Sequence, residues 1–144
     1  MRNRNSDFQF DIRLQDDYIL AESIGSETPE NMSYVYEEII KKVIEWNCER
    51  VLYIEGFSNQ IPLQDMLLVW RKIFRILEEN KINGSIAVFD KIKDDHTINI
   101  VSESLASAQG INAKVFNNLD EAIAWLKSLS ILKKENGVTT ASRR

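Results

Sequence analysis

Residues 8–24 read FQFDIRLQDDYILAESI and carry two strand patterns in succession. Phe8, Phe10, Ile12 and Leu14 alternate with polar neighbours, the period of two that marks a half-buried strand. Gln15-Asp16-Asp17 predicts a turn and Tyr18–Ile24 a second strand. Across so short a connection the two strands must pair antiparallel. Beyond the hairpin the period changes. Thr28-Pro29-Glu30 supplies an N-cap residue, a proline at the first helical position and an acid on the helix dipole. Met32, Val35, Tyr36, Ile39, Ile40, Val43 and Ile44 then share one face, so a helix is expected from Pro29 to about Asn47.

From there strands alternate with helices. Val51–Ile54 and Ile86–Phe89 are short continuous apolar runs, as expected for strands buried on both faces. Between them Leu63, Met66, Leu67, Trp70, Ile73, Phe74 and Leu77 mark a helix over 63–80, closed by Lys81-Ile82-Asn83-Gly84. Residues 95–109 carry Ile98, Val101, Leu105 and Ala108 at helical spacing and stop at Gly110, in the position after a helix that favours glycine. Ala113–Phe116 is a last strand, and Asn118-Leu119-Asp120-Glu121 a capping box opening a last helix. The predicted order is β-β-α-β-α-β-α-β-α: an α/β domain with a mostly parallel sheet, an antiparallel N-terminal hairpin and flanking helices.

Composition sets the bounds. The chain of 144 residues is 44% hydrophobic and 28% charged, enough for one domain over 8–130 with flexible segments at 1–7 and 131–144. No apolar run approaches the ~18 residues of a membrane span, so no transmembrane segment is expected, and no apolar segment follows the charged N-terminus as a secretory signal would. Cys48 is the only cysteine and has no disulfide partner within the chain, and together these features lead to an expected cytoplasmic location. Six of the 18 basic residues but only two of the 22 acidic ones lie outside 8–132. The remaining body is acidic and repels phosphate backbones, so no nucleic-acid partner is expected.

The C-terminal half carries a resemblance. Glu103, Ala106, Gly110-Ile111, Val115-Phe116 and Asp120-Glu121-Ala122-Ile123-Ala124-Trp125-Leu126 resemble the single-domain SpoIIAA-like proteins of the STAS superfamily. The order of elements extends the resemblance over residues 8–130. It implies a small α/β domain that works by binding another protein, as anti-sigma-factor antagonists bind a kinase-like regulator and are released by phosphorylation. The phosphorylated Ser or Thr of such proteins follows the third strand. Ser58 stands at that place here, without the flanking Asp and Gly of the family motif.

Several chemistries are weighed at the two loops after the third and fourth strands, Glu55–Pro62 and 90–96, because sites in open parallel sheets collect there. Ser58 is the phosphorylation candidate, and Ser58 or Asn59 also stands where a cap for the following helix is needed. His96, the only histidine, follows Asp94-Asp95, but no second His or Cys accompanies it, and it reads as a surface residue without a metal role. Cys48 lies beside Glu45 and Glu49, whose charges disfavour a thiolate. No G-x-S-x-G elbow, G-x-G-x-x-G turn or Walker sequence is present, so no catalytic residue and no cofactor are assigned. Leu68, Val69 and Ile76 fall outside the main stripe of the 63–80 helix, as Ile61 does just upstream. Such surplus apolar residues make a partner or homodimer surface, line a small apolar pocket, or widen the core face. Phe57, Asn59, Ile61, Leu68 and Val69 are therefore the candidate partner- or ligand-binding residues. The expected function is non-enzymatic regulation by protein binding, with a carrier of a lipid or other small apolar ligand as the alternative.

Overall fold

The computed structural model describes residues 7–92 and 97–140, with side chains described for 7–92 and 100–129. Strands β1 (Phe8–Gln15) and β2 (Tyr18–Gly25) form the hairpin, with Phe8 opposite Gly25 and Gln15 opposite Tyr18. Gly25, at φ 117°, ends it where the chain passes close to its own start. The Ser26 N–H donates to the Asp7 carbonyl at 2.7 Å, and a Cβ on Gly25 would collide with that same oxygen. Thr28 then caps α1 (Pro29–Trp46), its Oγ1 accepting from the Asn31 N–H at 3.0 Å.

The remaining elements are β3 (Arg50–Phe57), α2 (Leu63–Glu79), β4 (Ser85–Asp90), α3 (Thr97–Ala108), β5 (Asn112–Phe116) and α4 (Leu119–Thr140). The sheet order is β1-β2-β3-β4-β5, with β2 to β5 parallel and β1 antiparallel at the edge. Successive parallel strands are direct neighbours, and such crossovers are right-handed, so α1, α2 and α3 fall on one face. Their core joins Phe8, Phe10 and Ile19 from the hairpin to Val35, Ile39, Tyr53, Met66 and Ile73. Among the described residues α4 does not lead into a further strand of this sheet, so it is not part of a crossover. It covers the other face, where Ala122 and Leu126 pack on Leu20, Leu52 and Ala87.

Two boundaries differ from the sequence reading. Strand β3 runs on to Phe57, so Glu55, Gly56 and Phe57 are ladder residues opposite Ser23, Ile24 and Gly25 and not the start of a loop. Burial explains the extension: Phe57 is fully buried and stacks on Phe8 with ring centroids 5.9 Å apart. Helix α4 continues past residue 130 to Thr140, into the segment read as a tail.

Three helices end in the same way. The N–H groups of Cys48, Ile82 and Ile111 reach back to the carbonyls of Val43, Leu77 and Ala106, the long bond of a Schellman stop. Gly110 holds the left-handed position after α3, at φ 84°, as its sequence position predicts. Asn47 and Lys81 hold it after α1 and α2 at φ 49° and 55°, and Lys81 gains nothing local to offset the strain of its Cβ. Lys81→Gly is therefore expected to stabilise the fold by about 0.5–1 kcal/mol, raising Tm by ~2–4 °C in a thermal melt. An unchanged or lower Tm would show that the unfolded-chain entropy added by glycine outweighs the relieved strain.

Candidate functional site

Because β3 and β4 are neighbours, their ends lie side by side at Glu55 and Asp90, while residues 93–96 of the loop after β4 lie outside the described residues. The sheet order never reverses, however, and the crevice that forms at a reversal has no counterpart here. At this edge the otherwise apolar helical face turns polar. Ser23, Glu55 and Asp90 are register partners across β2, β3 and β4, and all three are buried. The Ser23 and Tyr53 hydroxyls lie 2.7 Å apart. Burial pushes the Tyr53 hydroxyl well above its ordinary pKa, with the Glu55 charge and Tyr36 adding to it and the Ser23 bond opposing. Burial does the same to Tyr36, reinforced by the charges of Glu55 and Glu27.

The loop after β3 is tied to the loop after β2. Asn59 Oδ1 accepts from the Glu27 N–H at 2.6 Å, and its Nδ2 donates to the Glu27 carbonyl at 2.9 Å. Glu27, only 2% exposed, accepts in turn from the Ile61 N–H at 2.9 Å. Ser58 is exposed, with its N–H and its hydroxyl both donating to the Gly25 carbonyl, at 2.9 and 3.3 Å. Neither Ser58 nor Asn59 caps α2, contrary to the sequence expectation. Pro62 takes the N-cap position with no side-chain bond, and its carbonyl accepts from Asp65 and Met66. The physical reason is that both residues are consumed in holding the two loops together.

The candidate binding residues separate. Phe57, Ile61 and Val69 are in the core, at 0%, 6% and 4% exposure, and cannot present an open surface. Truncating a buried Phe costs about 3–5 kcal/mol, so Phe57 is a structural residue first. Val69 turns inward because the buried stripe of α2 is Met66, Val69 and Ile73, rotated from the expected one. Two flank contacts accompany that rotation: Trp70 Nε1 donates to Ser102 Oγ on α3 at 2.7 Å, and Lys72 pairs with Glu37 on α1 at 2.8 Å. Leu63 and Leu67, expected inside, are 42% and 41% exposed, and Leu68 is 60% exposed. Asn59 is exposed but engaged with Glu27. His96 and the acids before it lie outside the described residues. Cys48 is half-buried, its Sγ 3.5 Å from the Asp17 carbonyl and 3.6 Å from that of Arg50.

Beneath α2 the sheet and the three helices line a half-open pocket with an inner volume of about 100 Å³. Its walls include Ile73 and Trp70 of α2, Val88 of β4 and Val115 of β5, and none of the five candidate binding residues lines it. Its polar lining includes Glu55, Ser102 and Glu103, and Glu103 Oε2 accepts from the Val115 N–H of the edge strand at 2.8 Å. The periodicity of α2 hinted at surplus apolar surface but could not place this space, which opens where small residues (Gly84, Ala106, Ala113) stand on separate elements. The buried acids also went unread, although Glu55 and Asp90 each directly follow an apolar strand run.

Among the described residues no group of three His, Cys, Asp or Glu side chains could hold a metal ion, and no helix is long and apolar enough to cross a membrane. No protein-family model matches this chain, and no curated protein matches it either.

The two buried tyrosines make the site testable by pH. A hydroxyl raised by folding contributes stability that is fully present below its unfolded pKa of about 10 and is lost as pH rises through the folded value. Absorbance titration near 295 nm should show Tyr36 and Tyr53 staying protonated above pH ~10 until the protein unfolds, with both ionising near pH 10 in denaturant. Normal titration of all tyrosines in the folded state would contradict their burial.

Proposed function

We propose that this chain is a non-enzymatic regulatory domain of the SpoIIAA-like, STAS kind, working in the cytoplasm by binding a protein partner. The observation that carries the reading is the outer face of α2, where Leu63, Leu67 and Leu68 stand exposed although the helix already has a complete inner stripe. At 100° per residue, Arg71 and Arg75 fall between Leu67 and Leu68 together with Gln64 and Glu78, so the face combines apolar anchors with two cations and one acid on an otherwise acidic body. Leucines flanking arginines suit the centre of an interface whose partner supplies carboxylates. Three leucines are a core and not a whole contact, since a stable interface buries upwards of ~1,000 Å². The order of elements and the C-terminal motifs support the same reading, with a kinase-like regulator as the kind of partner the resemblance suggests.

Ser58 is the switch in this proposal. It is exposed in the loop before α2, and phosphate there would remove its hydroxyl bond to Gly25 and add charge to the loop that Glu27 holds. The test compares wild type, Leu67→Asp/Leu68→Asp and Ser58→Asp, each tagged and purified from the native cells at low salt. Wild type should retain one stoichiometric protein. The double leucine variant should lose it, and Ser58→Asp should retain at least about tenfold less, with all three giving the same circular dichroism. Equal retention by all three forms, or none by any, defeats the reading. A dimer seen by light scattering and lost in the double variant would make the partner a second copy.

A further inference from the structure

The cavity beneath α2 lies on the opposite side of that helix from the exposed leucines, and its chemistry is mixed. Most of its wall is aliphatic and aromatic, with Ile73, Val88, Val115 and the rings of Tyr36 and Trp70. Tyr36 and Trp70 have ring centroids 4.6 Å apart. The carboxylates that reach it, Glu55 and Glu103 among them, only accept hydrogen bonds when ionised, so what complements them is a donor. Glu55 is 2% exposed, and its negative charge is felt by both buried tyrosine hydroxyls. A carboxylate has acceptor positions for several donors, so a further donor is compatible with the interactions Glu55 already makes. Aromatic rings beside a carboxylate in a low-dielectric space form a setting that favours an ammonium group over a neutral or anionic one.

Size limits the occupant. An engineered apolar cavity of ~150 Å³ accepts benzene, so one of about 100 Å³ takes a body of roughly four to six non-hydrogen atoms. That is far short of the ~300 Å³ or more of a site for a drug-sized ligand. We propose that the cavity is a binding site for a small alkylamine, its apolar body among Ile73, Val88 and Val115 and its ammonium group on Glu55 beside the rings of Tyr36 and Trp70. Ligand binding here is independent of partner binding on the outer face of α2, and either can hold without the other.

Three probes of one shape separate head-group from body: isobutylamine, isobutanol and isobutyrate, titrated into the full chain and followed by amide and indole NMR shifts. The Trp70 indole N–H, bonded to Ser102 at the cavity wall, is the reporter. Isobutylamine should shift it saturably with a Kd at least about tenfold below that of isobutanol, and isobutyrate should leave it unmoved. Glu55→Gln should abolish the preference for amine over alcohol while isobutanol still binds. Ala106→Met, which fills the cavity from α3, should abolish the shifts with all three probes and serves if Glu55→Gln does not fold. Equal binding of amine and alcohol, no Trp70 shift with isobutylamine, or undiminished amine binding to Ala106→Met each overturns the proposal.

Discussion

Handedness governs the architecture. Each crossover from β2 to β5 turns the same way and joins neighbouring strands, which commits α1, α2 and α3 to a single face of the sheet. The opposite face, with Leu20, Leu52 and Ala87, is covered by Ala122 and Leu126 of α4. The sheet is therefore covered by three helices on one side and one on the other, and the two cores differ accordingly. The larger joins the hairpin to α1 and α2 and holds most of the aromatic rings.

The same constraint explains where polar groups are buried. Three helices laid side by side over parallel strands bring the ends of β2, β3 and β4 under α1 and α2, so the acids there are covered instead of solvated. Burying a carboxylate is costly unless it is bonded, and Glu27 shows how the cost is met, by accepting from the Ile61 N–H within a loop clamp completed by Asn59. The clamp also leaves Ser58 displayed, since its neighbours are held. Farther along, β5 is an edge strand whose Val115 N–H is covered by Glu103, a charged device that spares the edge an unpaired donor beside the cavity.

Helix α2 has two flanks with separate consequences. On its sides it meets α3 through Trp70 and Ser102 and α1 through Lys72 and Glu37. The rotation draws Val69 into the core and expels Leu67 and Leu68, making an outward apolar face with arginines between. On its inner side a pocket remains against β4 and β5, with Gly84, Ala106 and Ala113 in its lining. One helix thus carries both a candidate contact surface and the roof of a candidate pocket.

Local chemistry in the sequence determined the elements and their order. Alternation over Phe8–Ile12, the Thr28-Pro29 start, the Gly110 stop and the Asn118 cap each act within a few residues, and the structure has all four, whereas Leu14, next in the alternation, is exposed at the strand end. The pairing of neighbouring strands follows from those elements through handedness. The tertiary structure alone decided the rest. The turn of α2 about its axis, the extension of β3 to Phe57, the clamp between Glu27 and Asn59 and the cavity all depend on residues about 30 or more positions apart meeting in space. A periodic pattern records which side of a helix is apolar. It does not record which neighbours, arriving from elsewhere in the chain, will press on that side or leave a gap.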